Sequence, residues 1–335
     1  MSSFNYLTRK LMIKRRTIIK FLLGSIAIPH AYGQNSYPMR PIKLVVPYPP
    51  GGVTDSLARA MEVKMAELLK QSVVIDNRGG AGATIGASFV AKSVPDGYTL
   101  LVAPGGLTFA PNLYSNLNYD ITQDFAPITN LVKYPYFLVI NSNLQVKSVA
   151  DLIKQAKEQP NKFSYASAGV GNIGHLSAEM FCSMAGIAMT HIPYKGDTPA
   201  ITDLMGGQVD LGFFAPSAIL SHVKSGKIKL LAVTSNNRYF SHPDIPTISV
   251  TPGMQSYNIV SWLGLVAPAK TPTEIINQIN AVVAKVFLFP DIAERLSNLG
   301  FESAISTPEV FAAFIKSETV RFARLAKQIG IKPES

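Results

Sequence analysis

Residues 41–55 read Pro-Ile-Lys-Leu-Val-Val-Pro-Tyr-Pro-Pro-Gly-Gly-Val-Thr-Asp and join a buried strand, a glycine-rich turn and the start of a helix. The apolar run Ile42–Val46 predicts the strand, because both of its faces must be buried. Thr54 and Asp55 are good N-cap residues. An apolar stripe from Leu57 to Leu69 has the spacing of a helix that packs on a sheet.

Two further glycine-rich turns stand between a predicted strand and a predicted helix. They are Arg78–Thr84 and Ser167–Gly174. Glycine lets a ligand approach the backbone closely, and the first N–H groups of a helix have no intrahelical partner and carry partial positive charge. Each unit is therefore a possible anion site. Three such units predict two lobes that close on one anionic small molecule.

The order of predicted elements indicates an α/β fold with two lobes. Strands alternate with helices over residues 41–103, and a second alternating series begins near residue 149. The chain then returns through a buried strand at Ser261–Ala267 to two final helices. We predict lobe 1 at residues 37–133 and 257–335, and lobe 2 at 134–256, joined by two crossover strands. A cleft at the carboxyl ends of both sheets would hold the ligand.

The first 33 residues have the pattern of an export signal. Six basic residues precede a short apolar run at Phe21–Ile28, and Ala31-Tyr32-Gly33 fits a cleavage site. Arg15-Arg16 is compatible with a twin-arginine export signal and with an ordinary export signal. Met12 is an alternative start residue. We expect cleavage near Gly33 and a periplasmic location.

The net charge of +10 comes largely from that segment. Without its six basic residues, the remaining 25 Lys and Arg exceed the 21 Asp and Glu by four. This small excess gives no case for nucleic-acid binding, and it is compatible with attraction of small anions. The single cysteine, Cys182, excludes an intramolecular disulfide.

Enzyme motifs are sparse in the sequence. Gly169, Gly171 and Gly174 match G-x-G-x-x-G, with Asp197 about 20 residues later, so a nucleotide-dependent enzyme stays an alternative. The preceding strand, Phe163–Ser167, is polar for a central dinucleotide-binding strand. There is no G-x-S-x-G elbow or phosphate loop, and no histidine has metal-ligand spacing. We expect no catalysis and no metal or cofactor.

The chain resembles the Bug receptors of tripartite tricarboxylate transporters from about Tyr37 to Lys332. The resemblance is carried by short motifs along the chain: Arg40-Pro41-Ile42, Val46-Pro47-Tyr48-Pro49-Pro50-Gly51-Gly52 with Asp55, Asn77-Arg78 with Gly80-Ala81-Gly82, Pro95-Asp96-Gly97-Tyr98-Thr99-Leu100, Tyr165-Ala166-Ser167-Ala168-Gly169 with His175-Leu176, His191-Ile192-Pro193-Tyr194-Lys195-Gly196, Asp203–Asp210, Leu231-Ala232-Val233-Thr234, and Trp262 with Ala267-Pro268. Together these motifs are highly specific.

The resemblance implies a type II periplasmic-binding-protein fold that captures a small carboxylate between its lobes. It also implies delivery of the ligand to integral-membrane permease subunits, by a receptor that we expect to be a monomer. A ligand-sensing receptor for a signalling partner is an alternative. By position, the expected ligand-binding residues are Tyr48, Pro49, Gly51, Gly52, Thr54, Gly82, Ala83, Thr84, Ser167, Ala168, Gly171, Asn172, His175, Tyr194 and Lys195.

Asp55 and several of the ligand-binding positions have a structural alternative. Asp55 is expected to cap the helix, His175 to act as a cap or a supporting hydrogen-bond partner, and Lys195 could be a surface charge. The chain departs from the family pattern at Pro104-Gly105-Gly106 and at Phe213-Phe214-Ala215-Pro216. The second departure removes a candidate partner for a ligand ammonium, so we expect a carboxylate without an amino group.

Overall fold

The computed structural model describes residues 37–328, so the predicted export signal lies outside the described residues. The fold is α/β, with two lobes that are each built on a mixed sheet. The strands are β1 (Ile42–Val46), β2 (Val73–Asn77), β3 (Thr99–Pro104), β4 (Phe125–Pro135), β5 (Phe137–Asn141), β6 (Ser164–Ser167), β7 (Thr190–Pro193), β8 (Leu211–Phe214), β9 (Ile228–Val233), β10 (Val260–Pro268) and β11 (Glu302–Ser303). The first sheet has the order β11-β4-β10-β3-β1-β2, and the second has the order β7-β6-β8-β5-β9.

Helices cover the faces of both sheets. They are α1 (Val53–Leu69), α2 (Thr84–Ala91), α3 (Val149–Glu158), α4 (Ile173–Ala185), α5 (Asp197–Gly206), α6 (Pro216–Val223), α7 (Thr273–Val286), α8 (Pro290–Asn298) and α9 (Pro308–Gln328). The sequence patterns did not predict α6, α8 or β11. Helices α6 and α8 are short, and each starts at a proline. Proline is favourable at the first helical position, but in a local sequence pattern it indicates a turn.

The order of the sheets explains the composition of the strands. β1 pairs in parallel with β2 on one side and β3 on the other, and helices cover both faces of the sheet, so all of its side chains except Lys43 are buried. In β10, Trp262 contacts the rings of Phe311 and Phe314 edge-on, at 5.5 Å between centroids in each case. These contacts hold α9 on the first sheet.

The chain crosses between the sheets twice, at adjacent points. It leaves β4 for β5 through Tyr136, and it returns from β9 to β10 through residues 234–259. Thr234 joins the two crossings. Its hydroxyl accepts from the Tyr136 N–H at 2.8 Å and donates to the Ile259 carbonyl at 2.7 Å. Its backbone pairs with the same two residues at 2.9 Å. The connection between the lobes is thus one hydrogen-bonded unit, fully buried at Thr234.

The described residues contain no single helix that is both long and apolar enough to span a bilayer; only the pair α7 and α8, bent by 80°, passes that test together. The strands of the first sheet lie before residue 136 and after residue 259, and the strands of the second sheet lie between residues 136 and 234. The lobe boundaries predicted from the sequence, at 133/134 and 256/257, stay a prediction.

The Thr234 hydroxyl provides a test of the connection between the lobes. Thr234→Val keeps the shape of the side chain but leaves the Tyr136 N–H and the Ile259 carbonyl short of a partner. Because each is buried, we expect the free energy of unfolding to fall by about 1–3 kcal/mol in denaturant titrations. Thr202→Val is the matched control, since its exposed hydroxyl bonds only Thr198 of its own helix; we expect a change within about 0.5 kcal/mol. Equal effects at the two positions would contradict a special role for Thr234.

Candidate functional site

A small cavity lies between the lobes, at the carboxyl ends of β1, β3 and β6 and beside the crossings. About 20 Å³ of it is open to the centre of a water molecule, which is room for one or two waters. Its walls combine polar and apolar groups from both lobes, with no lysine, arginine or histidine among them. The lining residues are Tyr48, Val53, Thr54, Pro104, Gly106, Tyr134, Tyr136, Ala168, Asn172, Ile173, Asp197 and Ser261.

The first glycine turn is fastened by Asp55, which does not cap α1. The helix begins at Val53, and its N-cap Gly52 offers no side-chain hydrogen bond, so the expectation of a Thr54 or Asp55 cap was wrong. The Asp55 carboxylate instead accepts from the Gly51 N–H at 3.0 Å, from Arg59 at 2.8 Å and from Asn77 at 3.0 Å. Burial raises the pKa of Asp55, but these hydrogen bonds outweigh it and hold the pKa below its usual range. The start of α1 therefore has no cap from its own turn; Val53 and Thr54 line the cavity, and the Val53 N–H donates to the Asp197 carboxylate of lobe 2.

The third glycine turn is held from behind by two histidines. Asn172 caps α4 by accepting from the His175 N–H at 2.7 Å. The Nδ1 atom of His175 accepts from the Gly171 N–H at 3.2 Å, and Nε2 of His191 bonds the Ser167 hydroxyl at 2.7 Å. The two imidazoles stack with centroids 4.2 Å apart. Both rings thus fix the backbone of the turn whose front side forms the cavity wall.

Both imidazoles are neutral in this packing. Because Nδ1 of His175 accepts a hydrogen bond, its proton is on Nε2, which lies 3.9 Å from the Glu179 carboxylate. Burial lowers the pKa of His175 to about 4. Burial lowers the pKa of His191 to about 4 as well, and the neighbouring His175 adds to that effect while Glu179 opposes it. Protonation of either ring would bring into the interior of lobe 2 a charge that Glu179 only partly offsets.

The two lobes touch where glycines remove side chains. A Cβ atom on Gly82 of the second turn would overlap the carbonyl oxygen of Val170, in the opposite lobe. A Cβ on Gly106 would lie 3.0 Å from the Gly171 oxygen. Tyr114 adds a direct hydrogen bond across the gap, from its hydroxyl to the Val170 carbonyl at 3.1 Å. The cleft is therefore closed in this structure, with backbone against backbone.

Several cavity residues were not among the predicted ligand-binding positions. Tyr134 and Tyr136 come from the crossing, with rings 5.8 Å apart, and Ser261 lies on β10. Local patterns could not find them, because only the crossing of the chain brings them to the cleft. Asp197 was noted only as a distant acid of the G-x-G-x-x-G pattern. Its position directly after Tyr194-Lys195-Gly196, a motif expected at the cleft, was the signal that could have found it.

The structure places the predicted ligand-binding residues in three settings. Tyr48, Thr54, Ala168 and Asn172 line the cavity. Pro49, Gly51, Gly52, Gly82 and Gly171 lie where the two lobes meet. The third group supports the turns or lies outside the cavity: Ala83 is buried in lobe 1, Thr84 bonds the Ala81 carbonyl, Ser167 and His175 stand behind the third turn, Tyr194 donates to Asp203 at 2.7 Å, and Lys195 is exposed.

Among residues 37–328, no group of three or more His, Cys, Asp or Glu side chains is arranged to hold a metal ion. Phe213, Phe214 and Ala215, where the chain departs from the expected pattern, are buried and do not line the cavity. The expectation of a carboxylate without an amino group, which rests on that departure, stays a prediction.

Comparison with known proteins agrees with this architecture. Residues 57–331 match the family model described as "Tripartite tricarboxylate transporter family receptor". The periplasmic binding protein BugD is 34% identical, with a TM-score of 0.85, covering 89% of this chain and all of that one. Rpa4515 of R. palustris with adipate is 36% identical, with a TM-score of 0.85 and the same coverage. MatC of Rhodopseudomonas palustris with bound malate is 29% identical, with a TM-score of 0.82, covering 87% of this chain and all of that one.

The histidine pair predicts an acid-sensitive fold. Between pH 6.5, the ordinary histidine value, and pH 4, the unfolded chain binds protons that the folded rings refuse, so the free energy of unfolding falls as the pH falls. Asp197, whose pKa burial raises to about 6, acts in the opposite direction between pH 3.8 and 6. The test is therefore a difference: denaturant titrations from pH 7 to 4.5 should show a smaller loss in His191→Gln than in the original protein. Parallel curves would contradict a neutral buried pair.

Proposed function

Since the chain belongs to the tripartite tricarboxylate transporter receptor family, we propose that it is a periplasmic receptor that captures a small organic carboxylate between two closing lobes. The observation that carries the proposal is the α1 N-terminus, which lies at the cavity opposite the turn before α4; its N-cap Gly52 has no side chain, and its Val53 N–H already donates to a carboxylate, that of Asp197 in lobe 2. Free N–H groups at a helix start favour an anion by charge and by hydrogen bonding. The adipate and malate in two structural relatives support a carboxylate as that anion.

The closing motion follows from contacts with both lobes. A ligand that binds α1 of lobe 1 and the third glycine turn of lobe 2 makes both sets of contacts only when the cleft is closed. Such a ligand stabilises the closed state. The Tyr136–Thr234–Ile259 unit is a suitable pivot. In the described residues the chain passes between the two sheets only at its two crossings, and this unit joins them by hydrogen bonds. Backbone contacts at Gly82 and Gly106 then exclude bulk water from the bound ligand.

The remaining parts of the proposal rest on the family and on the sequence. The residues before position 34 would direct export to the periplasm, and the loaded receptor would deliver its ligand to the permease subunits of a tripartite transporter as a monomer. The ligand-binding set would be the predicted positions that line the cavity or lie where the lobes meet, extended by Tyr134, Tyr136, Asp197 and Ser261. Catalysis forms no part of the proposed role.

A thermal-shift screen tests the proposal. The purified protein is titrated with dicarboxylates, tricarboxylates, aromatic acids and amino acids, together with NAD and ATP. A ligand at 100 times its dissociation constant should add about 2.7 kcal/mol to the free energy of unfolding. We expect one class of carboxylate to stabilise the protein, and calorimetry then gives its affinity. Stabilisation by a nucleotide and by no carboxylate would overturn the proposal and favour an enzyme that uses the Gly169–Gly174 turn.

A glycine pair tests closure separately from folding. Gly82 and Gly186 both have a left-handed backbone, with φ of 59° and 62°, but a Cβ at Gly186 meets nothing within 4 Å. Alanine at either position should cost about 1–2 kcal/mol of backbone strain. Only Gly82→Ala also meets the Val170 carbonyl of the other lobe. We expect it to weaken carboxylate binding by about tenfold or more, a loss of about 1.4 kcal/mol, while Gly186→Ala binds as the original protein does. Equal affinities for the two variants would argue against closure at Gly82.

A further inference from the structure

Asp197 is a carboxylate inside a cleft that we propose to bind carboxylates. It is the first residue of α5 in lobe 2, and it lines the cavity beside the crossing. Its Oδ2 atom would lie 3.6 Å from a Cβ on Gly52, so it sits directly against the start of α1 in lobe 1. The ligand's own carboxylate is expected at the same helix start. The site therefore brings a fixed negative group next to a negative ligand.

Little on the protein compensates this charge. Among residues 37–328, no Lys, Arg or His nitrogen lies within 4.0 Å of the Asp197 carboxylate; all the ion pairs of that region involve other acids. The backbone N–H of Val53 favours its charged form, but burial is the larger effect and raises the pKa to about 6. The phenols of Tyr48, Tyr134 and Tyr136 are near enough for the Asp197 charge to raise their pKa values further.

A ligand with only carboxylate groups would increase this strain. Two like charges a few ångströms apart in a closed cleft disfavour each other, and each has already lost part of its hydration. The lining side chains include no cation that could separate them. A proton donor carried by the ligand removes the conflict, because it can face Asp197 while the carboxylate faces the amides of α1. An ammonium group neutralises the charge, and a hydroxyl group donates a hydrogen bond to it.

We propose that Asp197 determines ligand class: the cleft selects carboxylates that also carry a proton donor, a hydroxyl or an ammonium group, placed to contact the Asp197 carboxylate. The inference rests on the proposed function, since it concerns the same cleft. It replaces the sequence-based expectation of a ligand without an amino group, which depended on residues 213–216, away from the cavity. Asp197 supplies the acceptor that those residues lack.

Matched ligands test this selection. Succinate, malate and aspartate share a four-carbon skeleton and differ only in a hydrogen, a hydroxyl or an ammonium group on one carbon; propionate, lactate and alanine form the same series with one carboxylate. Calorimetric dissociation constants are measured for the original protein, for Asp197→Asn and for Asp203→Asn. Asp203 is the control, because it lies on the same helix but accepts from Tyr194 outside the cavity.

In the original protein we expect a donor-bearing member of one series to bind about tenfold or more tightly than its unsubstituted member. Asp197→Asn should lose most of the preference for the ammonium ligand and should bind the unsubstituted acid more tightly, because the like charge is gone. Asp203→Asn should keep the original ratios. Each ratio compares the dissociation constants of two ligands for the same variant. A change in the fraction of folded protein affects both constants equally and cancels.

Two results would overturn the inference, and they are distinguishable. If the unsubstituted acid binds as well as its partners and Asp197→Asn leaves the ratios unchanged, Asp197 does not select the ligand, while carboxylate capture stands. If no acid of either series or of the thermal-shift screen binds the original protein or any variant, the proposed function fails and the role of Asp197 fails with it.

Discussion

The cavity is lined by phenols, by other polar groups and by apolar side chains such as Val53 and Ile173, with no side-chain cation, so a negative charge inside it can be balanced only by dipoles. This constraint explains why the turns at its walls are held so firmly. Dipoles stabilise an anion well only if they keep their orientation, since reorientation on binding would use up the gain. The Asp55 network fixes the turn before α1, and His175 and His191 fix the turn before α4. In each case polar groups of the same lobe hold the turn in place.

The same constraint requires the lobes to approach closely. Partial charges at helix ends act over about one turn of helix, and water weakens them. Glycines at positions 82 and 106 allow backbone from one lobe to reach backbone of the other, so that the closed cavity has room for little water. Closure and anion recognition are therefore parts of one proposed arrangement, with the Tyr136–Thr234–Ile259 unit as its proposed pivot.

Much of this arrangement could be predicted from local sequence, because strands, turns and amphipathic helices have local signatures. The buried run at Ile42–Val46, the three glycine turns and the two-lobe α/β fold are all present in the structure. The predicted start of α1 was wrong because Asp55 has the sequence pattern of an N-cap. In the structure its carboxylate instead accepts a hydrogen bond from Asn77 at the end of β2. Tyr134, Tyr136 and Ser261 reach the cavity through the crossing of the chain, which no local pattern records.

The two charged ends of the cleft come from different lobes. The start of α1 offers partial positive charge from lobe 1, and Asp197 offers negative charge from lobe 2. Without a ligand between them, these groups partly satisfy each other through the Val53 N–H. A molecule that carries an anion and a proton donor can bind both partners at once. Such a ligand links the lobes by its own polarity, so the interaction that would select it is also the interaction that would hold the cleft closed.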